Sequence, residues 1–562
     1  MPTVTINNKQ YEFNPGETVI EVAERNGIHI PHYCWHPRLS VSGNCRMCLV
    51  DVEKIPKLVI ACSTLCMEGM VVHVDSEKAV AGREHVMEFL LINHPLDCPI
   101  CDEAGECKLQ DYAYHHGTGE SRFTEEKNLK SKRVKLGPYV MFDAERCISC
   151  ARCISFSKEI AQQDQLTFVQ RGDRVTIETF PGKEFDNPYS LNVVDICPVG
   201  ALTNIDFRFK ARVWDMSATS SICPGCARGC NIDIWVRNNE ILRLTPRFNE
   251  DVNDYWMCDN GRINSFKHVN AETRIDMPKI RKSGELTTGG WDEAISKTVS
   301  ELKRVKPSEI AVLGSAFATV EDNYALAKFT KNILHTKNID LVEHFIPGDE
   351  DEILIREDKT PNTLGAKLAG VVPQKNGLNF SQIVDGIKNK SIRCLIAMEE
   401  DFVSLSSDFV TLTENLDLFI VFAANHNEST KYAHVVFPAA TFAEKNGIFV
   451  NFQGQVQRIK PAVMTVDMDR SLDGMSLSRL DKFGTEFDRW GKSKKINSIS
   501  SWKIITKLAN AFGVKFNFET SEDVLIELAE VNKDFKELDY EKIGSAGVKL
   551  KSYKKVEERI SV

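Results

Sequence analysis

Cys147-Ile-Ser-Cys150-Ala-Arg-Cys153, completed far downstream by Cys197-Pro198-Val-Gly-Ala, decides how this chain is read. Thiolates at such short spacings hold a metal cluster far better than they hold a fold by disulfides, and three close cysteines plus a remote one suit a four-iron core. The same pattern recurs on either side. Sixteen of the seventeen cysteines fall within the first 258 residues, and the rest of the chain holds only Cys394. They group as Cys34, Cys45, Cys48 and Cys62; as Cys98, Cys101 and Cys107; as the set just quoted; and as Cys223, Cys226, Cys230 and Cys258, with Cys66 left over. The first half therefore reads as an iron–sulfur wire.

At 562 residues the chain is too long for one core and should divide into several domains. Its 42% hydrophobic and 27% charged residues are ordinary for a globular protein, and a net charge of −9 argues against a nucleic-acid binder. The start, Met1-Pro-Thr-Val-Thr-Ile, shows neither a signal peptide nor an Arg- and Ser-rich transit pattern. The longest apolar runs, such as 418–424, are strand-sized, so no membrane span is expected. So many unpaired thiols imply a reducing compartment.

Residues 1–78 form the first predicted domain. Residues 3–6 and 11–13 alternate as strands about an Asn7-Asn8 turn, and Thr18 caps a helix that Gly27 ends. Ten residues separate Cys34 from Cys45, two separate Cys45 from Cys48, and thirteen separate Cys48 from Cys62. Four thiolates with one tight pair can grip both irons of a [2Fe–2S] unit, and Gly43 lets backbone approach the sulfides. A zinc ion would use the same four donors. Cys66 is either a spare buried thiol or a substitute for Cys62.

Residues 79–118 form a second module. A helix over 79–91 delivers His94-Pro-Leu-Asp-Cys98-Pro-Ile-Cys101, then Gly105 and Cys107. Three cysteines leave a [4Fe–4S] cluster one ligand short, and His94 is close enough to supply it; the plainer reading has His94 only ending the helix. Residues 138–217 follow, with Cys147, Cys150, Cys153 and Cys197 as a [4Fe–4S] set in the bacterial two-cluster ferredoxin pattern. The second cluster of that pattern would use positions 157, 187, 190 and 193, which here are Ser157, Asn187, Ser190 and Val193. One cluster has been lost whole and the other kept whole.

Residues 218–274 hold Cys223-Pro-Gly-Cys226-Ala-Arg-Gly-Cys230 and Cys258, with a hairpin about Asn238-Asn239 between them. This spacing resembles the [4Fe–4S] subdomain of molybdenum- and tungsten-pterin oxidoreductases, which carry lysine where this chain has Asn260. Residues 275–562 alternate helices with buried strands, at Trp291-Asp-Glu-Ala-Ile, Ile310-Ala-Val-Leu-Gly, Cys394-Leu-Ile-Ala-Met and Leu418-Phe-Ile-Val-Phe, which predicts α/β. No Walker A or dinucleotide fingerprint is present. His434 to Glu444 and Asn451-Phe-Gln-Gly-Gln-Val-Gln457 again look like the pterin family, Cys394 reads as a buried small residue, and the Lys/Glu-rich stretch from about Asn532 as a solvated face or docking segment.

The ordered set over 1–274 resembles the large iron–sulfur subunit of bacterial respiratory complex I, the NADH–quinone oxidoreductase, and 275–562 its degenerate pterin-type domain. The fold expected is thus multidomain α+β and α/β: a ferredoxin-like [2Fe–2S] domain, [4Fe–4S] modules, and a molybdopterin-oxidoreductase-like domain without pterin. The resemblance implies electrons arriving from a flavin/NADH-binding subunit, with a two-iron ferredoxin-type subunit and a ferredoxin-like connecting subunit as further partners. It also implies peripheral attachment on the cytoplasmic side of the bacterial membrane, and a fourth cluster off the main path. No catalytic acid, base or nucleophile is expected in this chain. Formate dehydrogenase-type and hydrogenase-type iron–sulfur subunits share some of these modules, and a zinc-stapled scaffold is the reading from another class.

Overall fold

The computed structural model describes residues 1–467 and 494–553, and divides into two compact units, Met1–Asp215 and Met216–Val562. In the first, a five-stranded sheet runs in the order Lys9–Glu12, Thr3–Ile6, Val71–His73, Leu49–Val52, Val59–Ile60. Asn7 and Asn8 both take left-handed backbone (φ +47° and +68°), the pair of conformations a tight hairpin demands. The Val19–Arg25 helix follows, its first turn fixed by the Glu21 carboxylate, which accepts from the N–H and the hydroxyl of Thr18, both at 2.8 Å. Val19, Ile20, Val22 and Ala23 bury its apolar face against Val4, Ile6, Val50 and Val72, and Cys48 and Cys62 belong to that same core.

Ser76 caps the long Glu77–Ile92 helix by accepting from the N–H of Ala79 at 3.2 Å, so this helix begins in the last residues of the first cysteine domain. A short helix, Lys108–His116, starts at Cys107, and a three-stranded antiparallel sheet of Leu202–Asn204, Val140–Phe142 and Val134–Lys135 underlies the third cysteine set.

The second unit opens with an antiparallel sheet of Ser217–Ile222, Asn231–Arg237 and Glu240–Pro246. Its last turn is the expected Asn238-Asn239, at φ +53° and +61°. A seven-stranded sheet follows, in the order Glu285–Thr288, Lys279–Lys282, Val435–Pro438, Leu418–Ala423, Cys394–Met398, Ile310–Gly314, Ile339–Leu341, the last five parallel. Each strand sends alternate residues to opposite faces. Val312, Ile396 and Ile420 pack with the helices Trp291–Leu302, Val320–Phe329 and Ser501–Ala511, while Leu313, Leu395 and Phe419 pack with Phe380–Lys388. Both faces are covered, which is why these strands read as unbroken apolar runs. Cys394 is wholly buried in one of them.

One expectation fails. The stretch from Asn532 is not a solvated face: Phe535, Tyr540, Ile543 and Leu550 are buried, and Val548–Lys549 adds a third strand to the sheet of Gly447–Val450 and Gln455–Ile459. The charges that suggested a tail lie between anchors spaced too widely to show a period. Residues 554–562 lie outside the described residues.

Candidate metal centres

All seventeen cysteines are free thiols. In the first set the backbone N–H of Cys34 points at the Cys45 sulfur at 3.5 Å, and the Cys34 thiol is held low by hydrogen bonds from Cys45 and Cys62. Cys62 is likewise within hydrogen-bonding reach of Cys48. Gly43 lies in the loop with φ +63°, and a Cβ there would meet the Ile60 side chain at 3.3 Å rather than any sulfur. Cys66 is buried elsewhere in this core; burial, with Glu17 and Glu21 adding to it, pushes its thiol up to about 11, and no cysteine is among its charged neighbours. The structure thus brings Cys62, not Cys66, to Cys34 and Cys48.

In the second set Cys101 and Cys107 are buried and Cys98 is exposed. His94 is half-buried, and burial, reinforced by the charges of Arg146 and Lys127, pulls its imidazole down to about 4. It is neutral at pH 7, the form that binds metal. Asp97, between His94 and Cys98, anchors the loop by accepting from Arg146 at 2.9 Å and from Lys132 at 2.7 Å. A Cβ on Gly200 would sit 2.2 Å from the Cys101 sulfur and 2.9 Å from Glu103 Cβ. Gly200→Ala is therefore expected to displace Cys101 at a cost of about 1–3 kcal/mol, read as a lower unfolding midpoint together with reduced iron uptake; full uptake at an unchanged midpoint would show that the loop yields freely.

The third set lines a small cavity: Cys147, Cys150, Cys153 and Cys197, with Phe142, Ile177 and Leu202. Ser149 and Ala151 take left-handed backbone (φ +54° and +69°), and the Ser149 N–H points at the Cys147 sulfur at 3.4 Å. Such a nest of inward amides favours negative charge. Burial first, then mutual repulsion, raises the pKa of Cys147, Cys153 and Cys197, Cys147 to about 11. Four thiolates are unfavourable in so dry a pocket unless a cationic core neutralises them, and the donor set fits such a core. The four positions where a second ferredoxin-type set would stand are packed into the core. Ser157, Asn187, Ser190 and Val193 are all buried. Gln165 ties two of them together: its N–H donates to the Ser157 hydroxyl at 3.2 Å, and its side-chain oxygen accepts from Asn187 at 2.9 Å.

In the fourth set Gly261 lies between two sulfurs, where an added Cβ would be 3.0 Å from Cys223 and 3.3 Å from Cys258. The Gly261 N–H itself points at the Cys258 sulfur at 3.3 Å, and Cys223 N–H donates to Cys230 O at 2.8 Å. The motif read at 451–457 grips this loop: Phe452 N–H donates to Ala227 O at 3.1 Å and Gln457 to Gly229 O at 3.0 Å. Asn260 is exposed and bonds to Asn264 of its own helix, at 2.7 Å.

The three sets of the first unit are contiguous. The Ser42 hydroxyl, beside Cys34, donates to the backbone carbonyl of Cys150 at 3.2 Å, joining the first to the third. The N–H of Lys108, next to Cys107, donates to the carbonyl of Pro198, next to Cys197, at 3.1 Å, joining the third to the second. Sequence reasoning missed Arg146, Ser42 and Gly200 in these contacts; their only signal was position within or beside a cysteine loop. Among the described residues no three His, Cys, Asp or Glu side chains converge tightly enough to hold a single metal ion.

Five protein-family models match the chain: "2Fe-2S iron-sulfur cluster binding domain" at 1–77, "NADH-ubiquinone oxidoreductase-G iron-sulfur binding region" at 83–122, "NADH-quinone oxidoreductase subunit 3, ferredoxin-like domain" at 137–203, "NADH-ubiquinone oxidoreductase NDSU1/NuoG-like, 4Fe-4S domain" at 216–265, and "Molybdopterin oxidoreductase" at 353–471. An NADH-quinone oxidoreductase subunit of Rickettsia bellii is 41% identical over 334 residues, covering 59% of this chain and 48% of that relative. The mitochondrial NADH-ubiquinone oxidoreductase 78 kDa subunit of Candida albicans is 38% identical over 340 residues, covering 60% and 47%. The chain thus spans about half the length of the curated relatives it matches. A solved NAD+-reducing [NiFe]-hydrogenase chain is 30% identical, covering 38% of this chain and 91% of that one, with a TM-score of 0.34.

Proposed function

We propose that this chain, a homologue of the NADH-quinone oxidoreductase subunits just described, relays electrons from an NADH-oxidising flavin subunit toward quinone-reducing subunits. One observation carries the reading: the thiol sets of the first unit touch in the order first, third, second, through Ser42 and through Lys108. A relay needs adjacent dry sites and no acid or base of its own.

The ligand sets we assign are Cys34, Cys45, Cys48 and Cys62 for a [2Fe–2S] cluster, and three sets for [4Fe–4S] clusters: His94, Cys98, Cys101 and Cys107; Cys147, Cys150, Cys153 and Cys197; Cys223, Cys226, Cys230 and Cys258. When bound, these clusters supply one-electron chemistry, at potentials set by their type, charge, hydrogen bonds and exposure. The chain's own contribution is to hold the sulfurs, bury them, and aim amides such as those of Ser149 and Gly261 at them.

The partners proposed are the flavin/NADH subunit, a two-iron ferredoxin-type subunit and a ferredoxin-like connecting subunit. In the assembly, electron flow is coupled to ion translocation at the cytoplasmic face of the membrane. No helix among the described residues is long and apolar enough to cross a membrane, so the membrane is reached through those partners. Anaerobically purified chain is expected to hold about fourteen irons, two in the first site and four in each of the others, with matching acid-labile sulfide. Stoichiometric zinc without sulfide would overturn the reading.

A further inference from the structure

Arg152 stands inside the Cys150-Ala-Arg-Cys153 loop and is only 6% exposed. One terminal nitrogen donates to the carbonyl of Ile196 at 3.0 Å, and the other donates to the carbonyl of Trp35. Ile196 immediately precedes Cys197, and Trp35 immediately follows Cys34. One guanidinium therefore grips the backbone beside a thiol of the third set and beside a thiol of the first. Its Nε is buried with no hydrogen-bond partner, and among the described residues no carboxylate pairs with it. A buried cation without a counter-charge is costly. The groups that favour its positive charge against burial are the sulfurs of Cys150, Cys197, Cys34 and Cys45, which are anionic as cluster ligands. Arg146, near the second set, is a different case, because its charge is spent on Asp97 at 2.9 Å and Asp143 at 3.5 Å.

We propose that Arg152 is a positioning residue that serves as the shared counter-cation of the first and third iron–sulfur sites. The inference rests on the relay reading above. Reduction adds one negative charge to a site, and a fixed cation beside it, in a dry interior, stabilises the reduced form. Because the same guanidinium faces both sites, it raises both potentials together, and its two carbonyl bonds fix the spacing between the loops that carry Cys34 and Cys197. The fork geometry of arginine suits that task, since one planar group reaches two carbonyls at once.

The test uses the full-length chain, purified anaerobically, with redox titration of the two-iron and four-iron EPR signals. In Arg152→Gln, the one-electron reduction equilibrium is expected to fall about tenfold at both sites, equal to about 59 mV each, while the signal of the His94 set stays where it is. In Arg152→Lys the charge survives, and both equilibria are expected to stay within about twofold of the unsubstituted chain. If the Gln variant takes up no iron, the Lys variant carries the test alone, and a tenfold fall at either site in it would overturn the electrostatic role. A Gln variant that holds both clusters at unchanged potentials would overturn the proposal and leave the relay standing. An unsubstituted chain that binds no cluster would instead sink the relay reading itself.

Discussion

Replacing His94 by cysteine is expected to keep a four-iron cluster at the Cys98, Cys101 and Cys107 set while lowering its midpoint potential by on the order of 100 mV. The imidazole enters a site as a neutral ligand, and burial, with Arg146 and Lys127 nearby, keeps it neutral at pH 7. A thiolate in its place adds a full negative charge, which opposes the arrival of an electron. The same exchange of histidine for cysteine separates high-potential from low-potential two-iron centres. An EPR-monitored titration of the variant measures the shift directly. Identical spectrum and potential would mean that His94 only ends the helix, leaving the fourth iron to another donor.

Lys445→Met is expected to destabilise the second unit by about 3–5 kcal/mol. The Lys445 ammonium is wholly buried and bonds the Asp322 carboxylate at 2.7 Å and both oxygens of Glu399 at 2.8 and 3.0 Å. Burial alone would strip its proton, yet the two carboxylates hold the pKa above the usual lysine range. Asp322 in turn accepts from the backbone N–H of Trp502 at 2.8 Å, and Glu399 accepts from the Ser501 hydroxyl at 2.6 Å, so the triad pins three segments of the core. Glu399 is also left-handed (φ +51°), a backbone state that costs of order 1 kcal/mol and persists only where surroundings enforce it. Methionine fills the volume but strands two carboxylates. Thermal unfolding followed by a probe of this unit should show the lower midpoint, with part of the loss recovered when Glu399→Gln is added. A midpoint within about 2 °C of the original, by the scale linking free energy to midpoint for a large domain, would deny the triad its role.

Much of the fold was legible because its signals are local. Thr18, the Asn238-Asn239 pair and the apolar runs at Ile310, Cys394 and Leu418 each state their element within a few residues. The groupings of the cysteines were legible for the same reason, and the four positions of a second ferredoxin-type set could be counted off. What escaped was whatever only the fold brings together. Asp322, Glu399 and Lys445 each look like surface charges in the sequence, and nothing near any one of them names the other two. Arg152 was visible inside a cysteine loop, but its two carbonyl partners lie at Trp35 and Ile196. The closing stretch was misread because Phe535, Tyr540, Ile543 and Leu550 are anchors without a helical or strand period, set among lysines and glutamates.

The strand at Val548–Lys549, paired to Gln455 and Val456, has a consequence for the order of biosynthesis. Its sheet stays incomplete until residue 549 has left the ribosome, whereas the first unit is self-contained at Asp215. At roughly 5–20 residues per second, the interval between those two moments is roughly 15–70 seconds. During it, three thiol sets already lie within a finished unit while the rest of the chain is still being made. A first unit that folds as it emerges would present three thiol sets to iron before the second half of the chain exists.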